Sequence, residues 1–123
     1  MGPAGGAGAG WHGRGAAAVK VFRLDELDAE RAAHGGAYLR FLKERNMSAG
    51  LYALSPGETD PQGPHEQDEI YTVISGRAEL TVGGETTTVG RGSVVYVPAG
   101  VPHRFHRITE ELRVLVVFSP PET

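Results

Sequence analysis

Three side chains in this sequence are spaced so that they could share one ion. His65 stands just ahead of a run of β-forming residues. Glu69 opens that run, and His103 opens a later one directly after Val101-Pro102. Two imidazoles and a carboxylate form a 2-His-1-carboxylate set. Such a set suits one divalent ion of Fe, Mn, Ni, Co or Zn and leaves positions open for water, substrate or O₂. Each residue alone has a plainer reading. A histidine at a strand end is commonly a surface group or a satisfied hydrogen bonder, and a glutamate there is commonly solvated. The case for a site rests on their convergence, so it depends on the elements that carry them.

From Tyr38 onward the sequence alternates with period two. Strands are expected at about 37–43, 48–54, 69–74, 77–82, 85–89, 94–97, 103–108 and 112–118. The gaps hold turn residues: Ser55-Pro56-Gly57, Ser75-Gly76, Gly83-Gly84, Gly90-Arg91-Gly92 and Pro98-Ala99-Gly100. About eight short strands at this spacing predict an all-β antiparallel sandwich or barrel. Side chains alternate along a strand, so Glu69 shares a face with Tyr71, and His103 shares one with Phe105. If these faces line the interior, carboxylate and imidazoles converge in a dry pocket. Tyr71 is therefore the leading catalytic candidate beside Glu69. Tyr38, Arg40, Tyr52, Tyr96 and Phe105 are further pocket candidates, for which core packing, or plain surface for Arg40, is the preferred reading. Glu66 and Asp68 are read as solvated rim charges. His106 has the opposite parity to His103 and is expected outside, while His12 and His34 receive no role.

Ahead of the strands, residues 1–17 are nearly all Gly and Ala and are expected to be a disordered tail. Residues 18–36 form an N-terminal extension. VKVFR (19–23) alternates and predicts a short strand, and Leu24–Ala33 a short helical turn that Asp25 could cap, ended by His34-Gly35-Gly36. Residues 37–119 are taken as the folded domain.

Composition narrows the function. With 123 residues the chain is one domain's worth. A net charge of -3 argues against a nucleic-acid or anionic-membrane surface, which needs a basic face. There is no cysteine, so disulfides, thiolate ligands and a cysteine nucleophile are excluded, and a cytoplasmic location is expected. No stretch approaches the ~18 apolar residues of a membrane helix. Phosphate-binding glycine loops and nucleophile elbows are absent as well.

Residues 57–76 read GETDPQGPHEQDEIYTVISG, and residues 92–107 read GSVVYVPAGVPHRFHR. They resemble the two motifs of the cupin superfamily, G-x5-H-x-H-x3/4-E-x6-G and G-x5-P-x-G-x2-H-x3-N. Gly57, His65, Glu69 and Gly76 fit the first, and Gly92, Pro98, Gly100 and His103 fit the second. Two positions depart: Gly63 stands where the first histidine is expected, and Arg107 replaces the final Asn. The resemblance covers roughly 37–118. It implies a double-stranded β-helix, or jelly-roll barrel, and a metal held by His65, Glu69 and His103. Gln62 is the stand-in for the missing ligand. The chain then resembles small single-domain cupins, including dioxygenases with His-Glu-His sites such as those acting on hydroxyanthranilate.

The implied function is dioxygenase, isomerase or lyase-type chemistry on a small anionic or oxygen-rich molecule. The alternative is a non-catalytic cupin that binds a small ligand or metal as a sensor or accessory protein, and a third reading is a degenerate barrel without metal. Small cupins also resemble one another in forming homodimers, here with VKVFR packed on a partner.

Overall fold

A computed structural model describes residues 19–61 and 63–123. The expected tail at 1–17 and the proposed ligand Gln62 lie outside the described residues. The chain runs α1 (Leu24–His34), β1 (Tyr38–Lys43), β2 (Ser48–Leu54), β3 (Asp68–Val82), β4 (Glu85–Gly90), β5 (Val94–Val97) and β6 (His103–Ser119).

The six strands form one antiparallel sheet in the order β1-β2-β6-β3-β4, with β5 also paired to β3. This corrects two expectations. The described residues form six strands rather than eight, because 69–74 and 77–82 are one strand, β3, and 103–108 and 112–118 are another, β6. The sheet is also not the closed jelly-roll barrel that was expected: β1 and β4 end it and do not pair with each other.

Ser75-Gly76 misled because a glycine at positive φ serves a bulge as well as a turn. Gly76 has φ 95°, and the β3–β6 register shifts between Val73 and Glu79. A Cβ at Gly76 would lie 2.2 Å from the Glu111 carbonyl oxygen, so only glycine lets β6 pass this close. The two long strands bend there without separating.

How far they bend follows from the ladder. Glu69 pairs with Phe118 near one end of β3, and Val82 pairs with His103 at the other. Thirteen residues of flat strand would part Glu69 from the His103 end by ~43 Å. Their side chains nevertheless meet at 3.2 Å. The sheet is therefore folded over on itself, its halves held together by side-chain packing and its edges left unpaired with each other. Tyr71, Val73, Leu80, Phe105, Leu112 and Val114 sit in the shared core between its halves.

VKVFR forms no strand. It lies beside β1 through Phe22, whose ring centroid is 4.8 Å from that of Phe41, and through a Lys20–Glu44 ion pair. Helix α1 runs one residue beyond the expected Leu24–Ala33. Its acidic first turn (Asp25, Glu26) and basic last turn (Arg31, His34) complement the helix dipole. Asp25 does not cap it, and Gly35 ends it in a left-handed conformation. Asp28 ties the helix to the sheet by accepting from Arg113 Nε at 2.9 Å, while Arg31 holds the same carboxylate at 3.1 Å. Burial works against that carboxylate's charge, but the two guanidiniums hold its pKa below the usual value.

Candidate metal centre

His65 stands in the loop ahead of β3, Glu69 near the start of β3, and His103 at the start of β6. One donor atom from each lies within 4.8 Å of the others. Glu69 and His103 are buried, at 2% and 5% exposure, and His65 is half-buried at the rim. The expected convergence is therefore present, with both parity assignments correct: Tyr71 and Phe105 face the interior with their partners and are fully buried.

Backbone bonds lock the ligand loops together. The Gly100 N–H donates to the His65 carbonyl at 2.7 Å, and the Gly83 N–H donates to the Pro102 carbonyl at 2.8 Å. Asp68 accepts from the Ala99 N–H at 2.9 Å and from the Tyr96 hydroxyl at 3.1 Å. Asp68 is exposed, as its rim assignment required, but it also fastens the turn that aims His103.

The histidine's second nitrogen fixes its tautomer. Nδ1 of His103 lies 2.9 Å from the Val101 carbonyl, which can only accept, so Nδ1 carries the proton. In the neutral ring Nε2 then presents a lone pair to Glu69 Oε1, 3.2 Å away. The two are an ion-pair distance apart but are not aligned as a hydrogen bond. Nε2 and both Glu69 oxygens have no hydrogen-bond partner among the described residues. Leaving such groups buried and unmatched costs on the order of 1–3 kcal/mol each. Electron-rich atoms facing one another in a dry site call for a cation between them, so the residues fit a divalent ion.

A proton can also fill that role. Burial opposes charge on His103, yet the Glu69 carboxylate, the Val101 carbonyl and the Asp60 charge outweigh it and hold the pKa above the ordinary 6.5. A metal must displace that proton. Metal affinity is therefore expected to fall as pH drops through this raised value, and the decline should begin above pH 6.5. Metal titrations by calorimetry in buffers of different ionisation enthalpy would show the released proton. An affinity flat from pH 8 to 5.5 would contradict this arrangement.

The remaining candidates divide. Tyr38 and Tyr52 line a cavity beside His65. Tyr71 and Phe105 are core residues, with ring centroids 4.8 Å apart, and the Tyr71 ring also stands edge-on to His103 at 5.9 Å. Tyr96 and Arg40 are on the surface, as are Glu66 and His34. His106 is half-exposed, with Nε2 2.7 Å from the Thr81 hydroxyl.

Asp60 is a residue that sequence reasoning missed. It is 2% exposed, accepts from the Tyr52 hydroxyl at 2.7 Å, and accepts from the Phe105 N–H at 2.9 Å. Its place in Asp-Pro-Gln-Gly reads as an ordinary loop, and only the distant partners reveal it.

Comparison with known proteins gives a consistent result. A family model described as "Cupin domain" matches residues 50–118. An uncharacterized protein of Streptomyces coelicolor is 73% identical over 105 residues, which is 85% of this chain and 100% of that protein. Among solved structures, TT1209 from Thermus thermophilus aligns with a TM-score of 0.69 and 25% identity, covering 84% of this chain and 99% of that one. The DMSP lyase DddQ from Ruegeria pomeroyi aligns with a TM-score of 0.64 and 24% identity, covering 68% of this chain and 46% of that one. At that identity the likeness shows a shared fold. Among the described residues no helix is long and apolar enough to cross a membrane.

Proposed function

The chain belongs to the cupin domain family, and from that premise we propose that it is a metal-dependent enzyme acting on a small organic molecule. The observation that carries this is the set of buried, unmatched donor atoms on Glu69 and His103 with His65 beside them. One divalent ion of Fe, Mn, Ni, Co or Zn would supply Lewis acidity or O₂ chemistry there, as dioxygenase, isomerase or lyase reactions require.

The chain's own residues do the rest. His65 and His103 would hold the ion as neutral imidazoles, and Glu69 would balance its charge. The Val101 carbonyl fixes the His103 ring, and Tyr71 braces it. Gln62 remains the proposed fourth ligand, supported by its place beside the Gly63 that stands where a histidine is expected. That same substitution favours the second reading, a cupin that binds ligand or metal without turnover.

The test is elemental mass spectrometry on protein purified without a histidine tag. Near-stoichiometric Fe, Mn, Ni, Co or Zn is expected. Failure to take up any of these ions on reconstitution would overturn the reading.

The proposal extends to a cytoplasmic homodimer. Cytoplasm is supported by a chain that needs no disulfide. The dimer is supported by Ile70, Val94 and Tyr96, which lie exposed on one face of the paired β3 and β5. Light scattering is expected to give twice the chain mass, and a monomer mass would remove this part.

A further inference from the structure

A cavity of about 370 Å³ opens beside His65, walled by Tyr38, Tyr52, Pro61, His65, Phe118 and Glu122. This lies within the usual size range of small-molecule sites, about 300–1,000 Å³. It has room for a single substituted ring.

Opposite the metal ligand His65, its polar wall is one-sided. The Tyr38 hydroxyl donates to Glu122 Oε1 at 3.3 Å, and the Tyr52 hydroxyl donates to Asp60 Oδ1 at 2.7 Å. Each phenol has one hydrogen, and both hydrogens are committed to carboxylates. The phenol oxygens can then only accept, as can Glu122 itself. Among the described residues, no lysine or arginine lines the cavity. Arg40, exposed nearby, is engaged with the Glu122 backbone carbonyl at 3.2 Å.

Glu122 is held in place rather than loosely presented. Its N–H donates to the Ser48 hydroxyl at 2.9 Å, and the preceding Pro121 carbonyl accepts from Gln67 Nε2 at 3.3 Å. Gly50 makes room for the Tyr38 ring, because a Cβ there would lie 2.2 Å from the phenol oxygen. Backbone, ring and carboxylate thus form one wall facing the cavity beside a proposed metal ligand.

We propose that this cavity is the substrate chamber of the metal centre, and that Glu122 sets its specificity for uncharged or amine-bearing molecules that donate hydrogen bonds. The assignment rests on the metal-enzyme reading. It narrows the substrate expected from sequence, keeping the oxygen-rich class and disfavouring a carboxylate or phosphate on the side away from the ion, where such a group would meet acceptors and negative charge.

Three probes of matched size test it: benzylamine, benzyl alcohol and benzoate. Binding is followed by amide chemical shifts in metal-free protein, where no ion can hold a carboxylate or an amine, and metal uptake is measured separately on the same preparation. A charge-assisted hydrogen bond contributes about 1.5–3 kcal/mol, so benzylamine is expected to bind about tenfold or more tighter than benzoate. Benzyl alcohol is expected between them, with shifts at Tyr38, Tyr52 and Phe118. Glu122→Gln should remove the amine preference and Glu122→Lys should reverse it. Tyr38→Phe, which keeps the carboxylate, should retain it, and the dispersed amide spectrum of each Glu122 variant checks that it is folded.

Benzoate binding as tightly as benzylamine, a preference untouched by Glu122→Gln, or no shift at the cavity residues with any probe would each overturn the chamber assignment. If metal is taken up without the preference, the chamber fails and the metal centre stands. If the preference appears in a chain that takes up no metal, the metal reading fails and the acceptor wall stands.

Discussion

Replacing His103 by alanine is expected to abolish stoichiometric metal binding, lowering affinity by more than about 100-fold. Losing a group that merely orients a ligand typically costs 10–100-fold, and a ligand lost from a set of three must cost more. The structure makes His103 the least replaceable of the three. Its Nδ1 is engaged by the Val101 carbonyl, its Nε2 lies 3.2 Å from Glu69, and it is 5% exposed, so water does not readily substitute for it. Glu69→Ala is expected to match it, because the carboxylate supplies the charge that offsets the ion. His65→Ala should weaken binding less, since its site is half-open and water can take the vacated position. Elemental analysis and metal titration read all three. A His103→Ala protein that stays folded and holds metal as the parent does would end the assignment.

Asp60→Ala is expected to cost about 2–6 kcal/mol of stability. The carboxylate serves two buried donors, the Tyr52 hydroxyl and the Phe105 N–H. Each donor left unmatched costs about 1–3 kcal/mol. Small domains have only about 5–15 kcal/mol in hand. Asp60→Asn keeps a carbonyl for one donor but turns an NH₂ toward the other, so its loss should be about half as large. Urea unfolding midpoints check both, and an unchanged midpoint for Asp60→Ala would refute this account. The damage should reach the cavity as well, since Tyr52 lines it and Phe105 stands two residues from His103.

The candidate metal set was legible chiefly through the spacing of the two cupin-like motifs, in which His65, Glu69 and His103 fall at the expected positions, while alternation gave the faces of Glu69 and His103. Strands β2 and β5 were legible as short apolar runs that end at the turn residues Ser55-Pro56-Gly57 and Pro98-Ala99-Gly100. Where the sequence misled, one signal had two physical meanings. Gly76 marks a bulge rather than a turn, which merges two expected strands into β3. Alternation in VKVFR says where side chains would point, not whether a neighbouring edge will pair with them. Asp60 and Glu122 were invisible as site residues because their roles come from partners distant in the chain. Phe105 lies 45 residues from Asp60, and Tyr38 lies 84 residues from Glu122.

The folded-over ladder of β3 and β6 gives the ion a mechanical consequence. Glu69 and His103 belong to opposite ends of one ladder, brought together only because it doubles back at the bulges around Gly76. An ion held by both would act as a clasp across the mouth of that fold. Opening the sheet would then require breaking a coordination bond as well as separating apolar surfaces. Amides near the bulge, far from any ligand, should exchange more slowly with solvent when metal is bound. The centre that activates a substrate would thus also restrain the breathing of the sheet that holds it.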